Sequence, residues 1–212
     1  MSLFGGKGEA GKSQVTQRQI STGRDNAVNH GGEQLVGNGD LTVFREGSKQ
    51  IVVQSGPVSP LVVLMDRLAE EIRKDERVQN FVATLQLYLE HFSHDGIDGL
   101  ENKLIHAGRK GQVVKALQKK ELFARLLDEY SMFDSAQNIF AYVLSRMEAD
   151  FEAYVLPNLG QMGTVDIDRI IYERLILPPA HDAPVGVFTL NPALTAGMVY
   201  WLAEKCYIRW HP

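Results

Sequence analysis

The sequence predicts a mainly α-helical fold: a multi-helix C-terminal domain over residues 59–212, preceded over residues 1–58 by a glycine-rich tail with short β-strands or disorder. Three observations predict it. Eleven of the 19 glycines lie at or before Gly56, so composition changes near Pro57–Pro60. From Ser59 onward apolar residues recur at i, i+3 and i+4, the spacing of a buried helix face. No strand–helix–strand alternation appears, which argues against a parallel α/β sheet.

In the tail, Ile20, Val28, Val36, Phe44 and Val52 recur every eight residues, with turn-forming residues between them. A strand of about four residues followed by a turn of about four accounts for this period. Such a unit buries little by itself, which leaves two expectations open. One is a flexible or weakly structured tail; the other is a β-rich segment that stacks with copies of itself in a homo-oligomer.

The helical elements follow in order. Ser59 is a suitable N-cap and Pro60 suits the first helical position, and Leu61, Leu64, Met65, Leu68 and Ile72 form one stripe. A second helix is expected over 75–92, with Val78, Phe81, Val82, Leu85, Tyr88, Leu89 and Phe92 on one face, broken at His94-Asp95-Gly96. Shorter and longer helices are expected over 97–106, ending at Gly108, and over 111–129. A long helix spans 131–156 and stops at Pro157; another spans 164–177 and stops at Pro178-Pro179. After a proline-rich loop the last helix begins near Asn191-Pro192.

Bulk composition limits function. The net charge of −4 argues against general nucleic-acid coating, and the acidity lies in the helical part. Cys206 is the only cysteine, which excludes an intrachain disulfide and suits a reducing cytosol. The N-terminus lacks a signal-peptide core, and the longest apolar run, Ile139–Leu144, is far short of the roughly 20 residues of a membrane helix. The expectation is a cytoplasmic protein with no membrane partner.

Candidate sites divide by what surrounds them. GKGEAGKS, residues 6–13, fits the phosphate-loop pattern G-x-x-x-x-G-K-[ST]. That loop needs a buried strand before it and a packed helix after it. Only Met1–Phe4 precede Gly5, and a polar stretch follows, so a small P-loop nucleotide-binding protein is the weakest alternative. LVVLMD, residues 61–66, resembles the apolar strand that ends in a metal-binding Asp, yet Ser59-Pro60 caps it as a helix. No cofactor is expected.

His91 and His94 stand three residues apart beside Asp95, with His106 and Cys206 as the further metal ligands the sequence offers. Attraction of histidines to a helix C-terminus explains the pair without a metal, and none is expected. Cys206 reads as a buried structural cysteine. The acidic pairs Glu70-Glu71 and Asp166/Asp168 read as solvated faces or first-turn residues. No G-x-S-x-G or H-E-x-x-H occurs, so no catalytic set and no enzyme are expected.

A basic stripe contains Lys103, Arg109, Lys110, Lys115, Lys119, Lys120 and Arg125, and Lys115 and Lys119 stand one turn apart. Its simplest reading is a solvated face. The alternative is a DNA-binding adaptor, with Lys110, Lys115, Lys119 and Lys120 as the face for nucleic acid or an acidic partner.

Three stretches point further: FDSAQNIFAYVLSRMEADFEAYVLPNLGQ, IDRIIYERLILPPA and LTAGMVYWLAEKCYIRWHP. Ser135-Ala136-Gln137, the Phe151–Pro157 stretch, Gly197-Met198-Val199-Tyr200-Trp201-Leu202 and Cys206-Tyr207-Ile208-Arg209-Trp210 resemble a helical C-terminal domain of prokaryotic ABC-three component systems. The resemblance covers roughly Ser59 to Trp210, and TGRDNAVNHGG resembles the glycine-rich segments that precede such domains. It implies a component of a bacterial conflict system directed against phage or plasmids. Its partners there would be an ABC ATPase and a small middle component. The N-terminal part is too short for a nuclease or protease effector. The expectation is therefore a non-enzymatic adaptor or assembly subunit, with DNA contacted directly or through the complex.

Overall fold

The structure, a computed structural model, describes residues 58–91 and 96–211 in full and the backbone of four strands between residues 26 and 54. By its contacts the chain divides into two units, Met1–Val58 and Ser59–Pro212. The phosphate-loop match at residues 6–13 lies outside the described residues.

The first unit contains an antiparallel meander of β1 (Asn26–His30), β2 (Glu33–Asn38), β3 (Asp40–Arg45) and β4 (Ile51–Gln54), in the order β1-β2-β3-β4. The eight-residue repeat places Val28, Val36, Phe44 and Val52 in successive strands. Ala27 pairs with Val36, Gln34 with Phe44 and Thr42 with Val52. Gly31-Gly32, between β1 and β2, has the composition that a two-residue hairpin connection favours.

The regular elements described in the second unit are all helical, and its core draws on most of them. In α1 (Pro60–Lys74) the Ser59 hydroxyl accepts the Leu61 amide at 3.3 Å, and Leu61, Met65 and Leu68 are buried. The helix stops because Asp75 turns left-handed at φ 56°, a conformation a short polar side chain tolerates.

The expected 75–92 helix is only partly realised. Helix α2 spans Ala83–Leu89, and residues 76–82 run as a strap across the bundle. The cause is Gln137, nine-tenths or more buried, which outcompetes helical hydrogen bonding there. Its Oε1 accepts the Val82 amide at 2.6 Å and its Nε2 donates to the carbonyls of Asn80 and Ser131 at 3.2 and 2.6 Å. The Val78 amide donates to the Met132 carbonyl at 2.8 Å.

Helix α3 spans Leu100–His106, and Gly99 and Gly108 at φ 80° and 73° supply the left-handed turns at its two ends. A tight turn at Lys110–Gln112 leads into α4 (Val113–Tyr130). Helix α5 (Asp134–Asp150) continues through a π-helical turn, Phe151–Val155, before the chain turns at Leu156–Asn158. The orphan amide of Ser135 at its N-terminus is capped from α1, since the Glu71 carboxylate accepts Ser135 N–H at 3.0 Å and the Ser135 hydroxyl at 2.5 Å.

Helix α6 (Thr164–Ile170) runs through a second π-helical turn, Ile171–Ile176, into α7 (Leu177–Asp182). Pro178-Pro179 therefore does not end the helix as the sequence suggested. The wider turn resets the hydrogen-bond ladder, so the prolines fall in the first turn of α7, where an amide is not required.

Helix α8 (Pro192–Glu204) is capped by Asn191, whose Oδ1 accepts the Ala193 and Leu194 amides at 3.0 Å each. It is apolar on almost every side and packs most extensively on α4. A Cβ on Gly197 would stand 2.2 Å from the Lys119 carbonyl oxygen and 3.4 Å from the Phe123 Cβ. Gly197→Ala must therefore push the two helices apart, at a cost of about 1–3 kcal/mol. Chemical denaturation will show this loss, whereas Gly111→Ala, with nothing within 4 Å of the added methyl, will stay near wild type.

Candidate functional site

The polar residues that the sequence marked are divided by the fold into two groups, those that hold helices together and those left at the surface. Lys103 occupies the apolar register of α3 with Leu100 and Leu104, and it is 1% exposed. Its ammonium donates to the carbonyls of Ala203 at 2.9 Å and Ile208 at 3.3 Å. Ala203 is in the last turn of α8, so the buried cation neutralises the negative end of that helix dipole.

Lys120 shares the buried register of α4 with Val113, Ala116, Phe123 and Leu127. Its ammonium donates to Glu204 Oε1 at 3.0 Å, while Glu204 Oε2 accepts the Leu100 amide at 2.7 Å and so caps α3. Burial raises the Glu204 carboxyl pKa, but the Leu100 hydrogen bond and the Lys120 ammonium outweigh it and hold the group below its ordinary value. Arg109 is buried and its guanidinium donates to Asp168 on α6. Of the expected basic face, Lys110 and Lys115 are exposed, Lys119 is half-buried beside Lys115, and Lys120 is committed to Glu204. Arg125 pairs with Glu121 along α4 at 3.1 Å.

The inward placement of Lys103 and Lys120 was readable in principle. Both fall in step with apolar neighbours three or four positions away, and a stripe read by charge alone hides this.

The C-terminal segment closes a cleft of about 290 Å³. Its walls include His106 and Arg109, the apolar residues Leu159, Met162 and Ile167, and the aromatic residues Trp210 and His211. The imidazoles of His106 and His211 meet edge to face at 5.1 Å.

The sequence offered His91 with His94, Asp95, His106 and Cys206 as metal ligands. His94 and Asp95 lie outside the described residues, and His106 faces His211 instead. The structure brings His91 and Cys206 together with Asp98, which the sequence reading passed over because it lies far from Cys206 in the chain. Cys206 is half-exposed rather than buried. It follows the end of α8 at φ 70°, and the left-handed turn there directs it away from the helix interior. Glu71 is not a solvated surface acid, as it caps α5. Asp166 does lie in the first turn of α6 and pairs with Arg169.

Two of the motifs behind the family resemblance have packing roles. Ser135 takes the Glu71 cap, Ala136 is buried and Gln137 ties down the strap. Gly197 admits the α4 backbone, and Trp201 Nε1 donates to the Tyr88 carbonyl at 3.1 Å. Residues 99–210 match C-terminal domain 9 of the ABC-three component (ABC-3C) systems, just over half the chain. The chain belongs to this family. The match begins at α3, so α1, α2 and the strap precede it. Comparison with curated proteins and with solved structures finds no match.

The C-terminal end of this ABC-3C domain depends on Lys103. Lys103→Met keeps the length of the stem but removes the donor to the Ile208 carbonyl and leaves the Ala203 carbonyl with backbone donors alone. The expected loss is about 1.5–3 kcal/mol. Faster proteolysis within the segment after α8 would accompany it, and unchanged stability and cleavage would show that the cation is dispensable.

Proposed function

We propose that the chain is a non-enzymatic adaptor of its ABC-3C system, assembling with the ABC ATPase and middle component of a bacterial defence complex. The family match over 99–210 carries this reading. The polar groups at the family's motifs support it, because they are engaged in capping and cross-linking helices. Exposed apolar side chains supply a surface for a protein partner. Tyr154, Leu156, Met162, Val165 and Tyr172 are all exposed. Tyr154 lies in the π-helical turn after α5, Leu156 and Met162 between that turn and α6, Val165 on α6 and Tyr172 in the π-helical turn after it. The two π-helical turns and α6 pack on one another. Met162 also lines the C-terminal cleft. Among the described residues no helix is long and apolar enough to cross a membrane, which suits work in the cytoplasm.

A DNA-binding role has a smaller cationic face to draw on than the sequence suggested. It would fall to Lys110, Lys115 and Lys119, since Lys120, Arg109 and Lys103 are bonded within the domain.

Co-purification from the intact gene cluster tests the adaptor reading. An ABC ATPase should be recovered with the chain, and its absence would count heavily against the proposal. Met162→Asp combined with Val165→Asp introduces charge at two exposed positions and should weaken recovery at least about fivefold, the effect expected of losing a contact worth about 1 kcal/mol.

The meander is proposed as the self-association element. Among the described strands, in the order β1-β2-β3-β4, the outer strands β1 and β4 are each paired along one edge and open along the other. An open edge is a template for pairing with another chain. Analytical ultracentrifugation should show a larger species for the whole chain than for a version starting at Ser59. Equal oligomeric states would reject the role.

A further inference from the structure

We propose that His91, Asp98 and Cys206 form a zinc(II) site. The three side chains come from separate segments: the residue pair after α2, the turn before α3, and the turn that ends α8. Each segment is fixed to α8 close to the ligand it carries. Trp201 Nε1 and the Tyr207 hydroxyl donate to the carbonyls of Tyr88 and Leu87 near the end of α2. Glu204 holds the Leu100 amide two residues after Asp98. The Cys206 and Tyr207 amides donate back to the Ala203 and Leu202 carbonyls at 3.2 and 2.9 Å, which sets the Cys206 turn. The ligand atoms are thus positioned by contacts other than their own.

The spacing of these atoms suits a shared ion better than direct bonding. His91 Nε2 lies 3.8 Å from Asp98 Oδ1, and Cys206 Sγ lies 4.0 Å from each of them. An N···O separation of that length is beyond a hydrogen bond, and 4.0 Å is at the outer limit for sulfur. A point equidistant from the three atoms lies about 2.3 Å from each, against typical zinc bonds of roughly 2.3 Å to sulfur and 2.0–2.2 Å to nitrogen and oxygen. Shifts of a few tenths of an ångström would complete three bonds.

The donor set selects the metal. A thiolate, an imidazole and a carboxylate together suit borderline-soft zinc, not calcium or magnesium. On binding, the thiol releases its proton to solvent and the imidazole coordinates through a neutral Nε2. Thiolate and carboxylate then balance the two charges of the ion. His91 and Asp98 are exposed, so the fourth position opens to solvent, where water can occupy it. The ion would clip the α2–α3 connection to the end of α8.

The test uses the full chain stripped with chelator and titrated with zinc(II) by calorimetry. Cobalt(II) serves as the spectroscopic probe. The expected result is saturation at one equivalent, with a thiolate-to-cobalt charge-transfer band that is absent in Cys206→Ser. Disturbing residues behind a metal ligand typically costs 10–100-fold in affinity, so His91→Gln and Asp98→Asn should each weaken zinc binding at least about tenfold. Because Cys206 is the only cysteine, zinc should also slow its reaction with a thiol reagent. His91 and Asp98 are exposed and Cys206 is partly exposed, and circular dichroism confirms that each variant folds. No saturable binding, a cobalt complex without the charge-transfer band, or unchanged affinity in folded His91→Gln and Cys206→Ser would overturn the site.

Discussion

The close approach of α8 to α4 at Gly197 is the constraint on which the rest of the helical domain depends. With no side chain at that position, the Lys119 carbonyl can lie against the α8 backbone. This proximity seats Phe123 edge-to-face against both Trp201 and Phe140, with ring centroids 5.6 Å apart in each pair. It also brings Lys120 within reach of Glu204, and Glu204 in turn caps α3. A single missing methyl group thus sets the positions of three helices. An amphipathic helix could not occupy this place, because α8 buries Leu194, Ala196, Met198, Val199 and Leu202 in several directions.

Buried polar groups give this apolar packing a definite arrangement. Burying an ammonium or a carboxylate is costly unless its bonds are satisfied. Lys103, Glu71 and Gln137 meet that condition by serving orphan backbone groups: the Ile208 carbonyl after α8, the amide starting α5, and both kinds along the 76–82 strap. Each bond crosses between elements distant in sequence. An apolar residue of equal size could fill the same volume but would leave those backbone groups unpaired. Lys103→Met is informative for this reason, as it removes the donor while retaining most of the packing.

Helix identity, the cap at Ser59-Pro60 and the helix start at Asn191-Pro192 were legible in the sequence, because all are local. The mainly helical class followed from the same local periodicity. Most of the failures share a cause, namely a partner remote in the chain. The segment 75–82 has helical spacing, yet Gln137, 55 residues from Val82, captures its backbone. Pro178-Pro179 reads as a stop unless the π-helical turn before it is known. Lys120 reads as one of a surface group until Glu204 arrives, 84 residues on. The cluster at Cys206 was half visible: its histidine was named, but Asp98 stands 108 residues from the cysteine. Local chemistry can nominate a ligand, but only the fold can assemble the set.

The division between rigid and adaptable parts bears on what an adaptor needs. The α3–α4–α8 region is tied by Lys103, Lys120 and Glu204, with caps and cross-links at each end. The apolar residues of the proposed partner surface lie elsewhere. Tyr154 and Tyr172 lie within the two π-helical turns, and Leu156 directly follows the first. A π-helical turn already departs from the regular ladder, so converting it to an α-turn shifts helix register without unfolding the helix. The two turns also pack on each other, so a change in one is felt by the other. Arg174 stacks over Tyr154 at 4.8 Å and links them at the surface. A partner that covers these tyrosines would press on the elements best able to change register, while the cross-linked helices keep the rest of the domain in place.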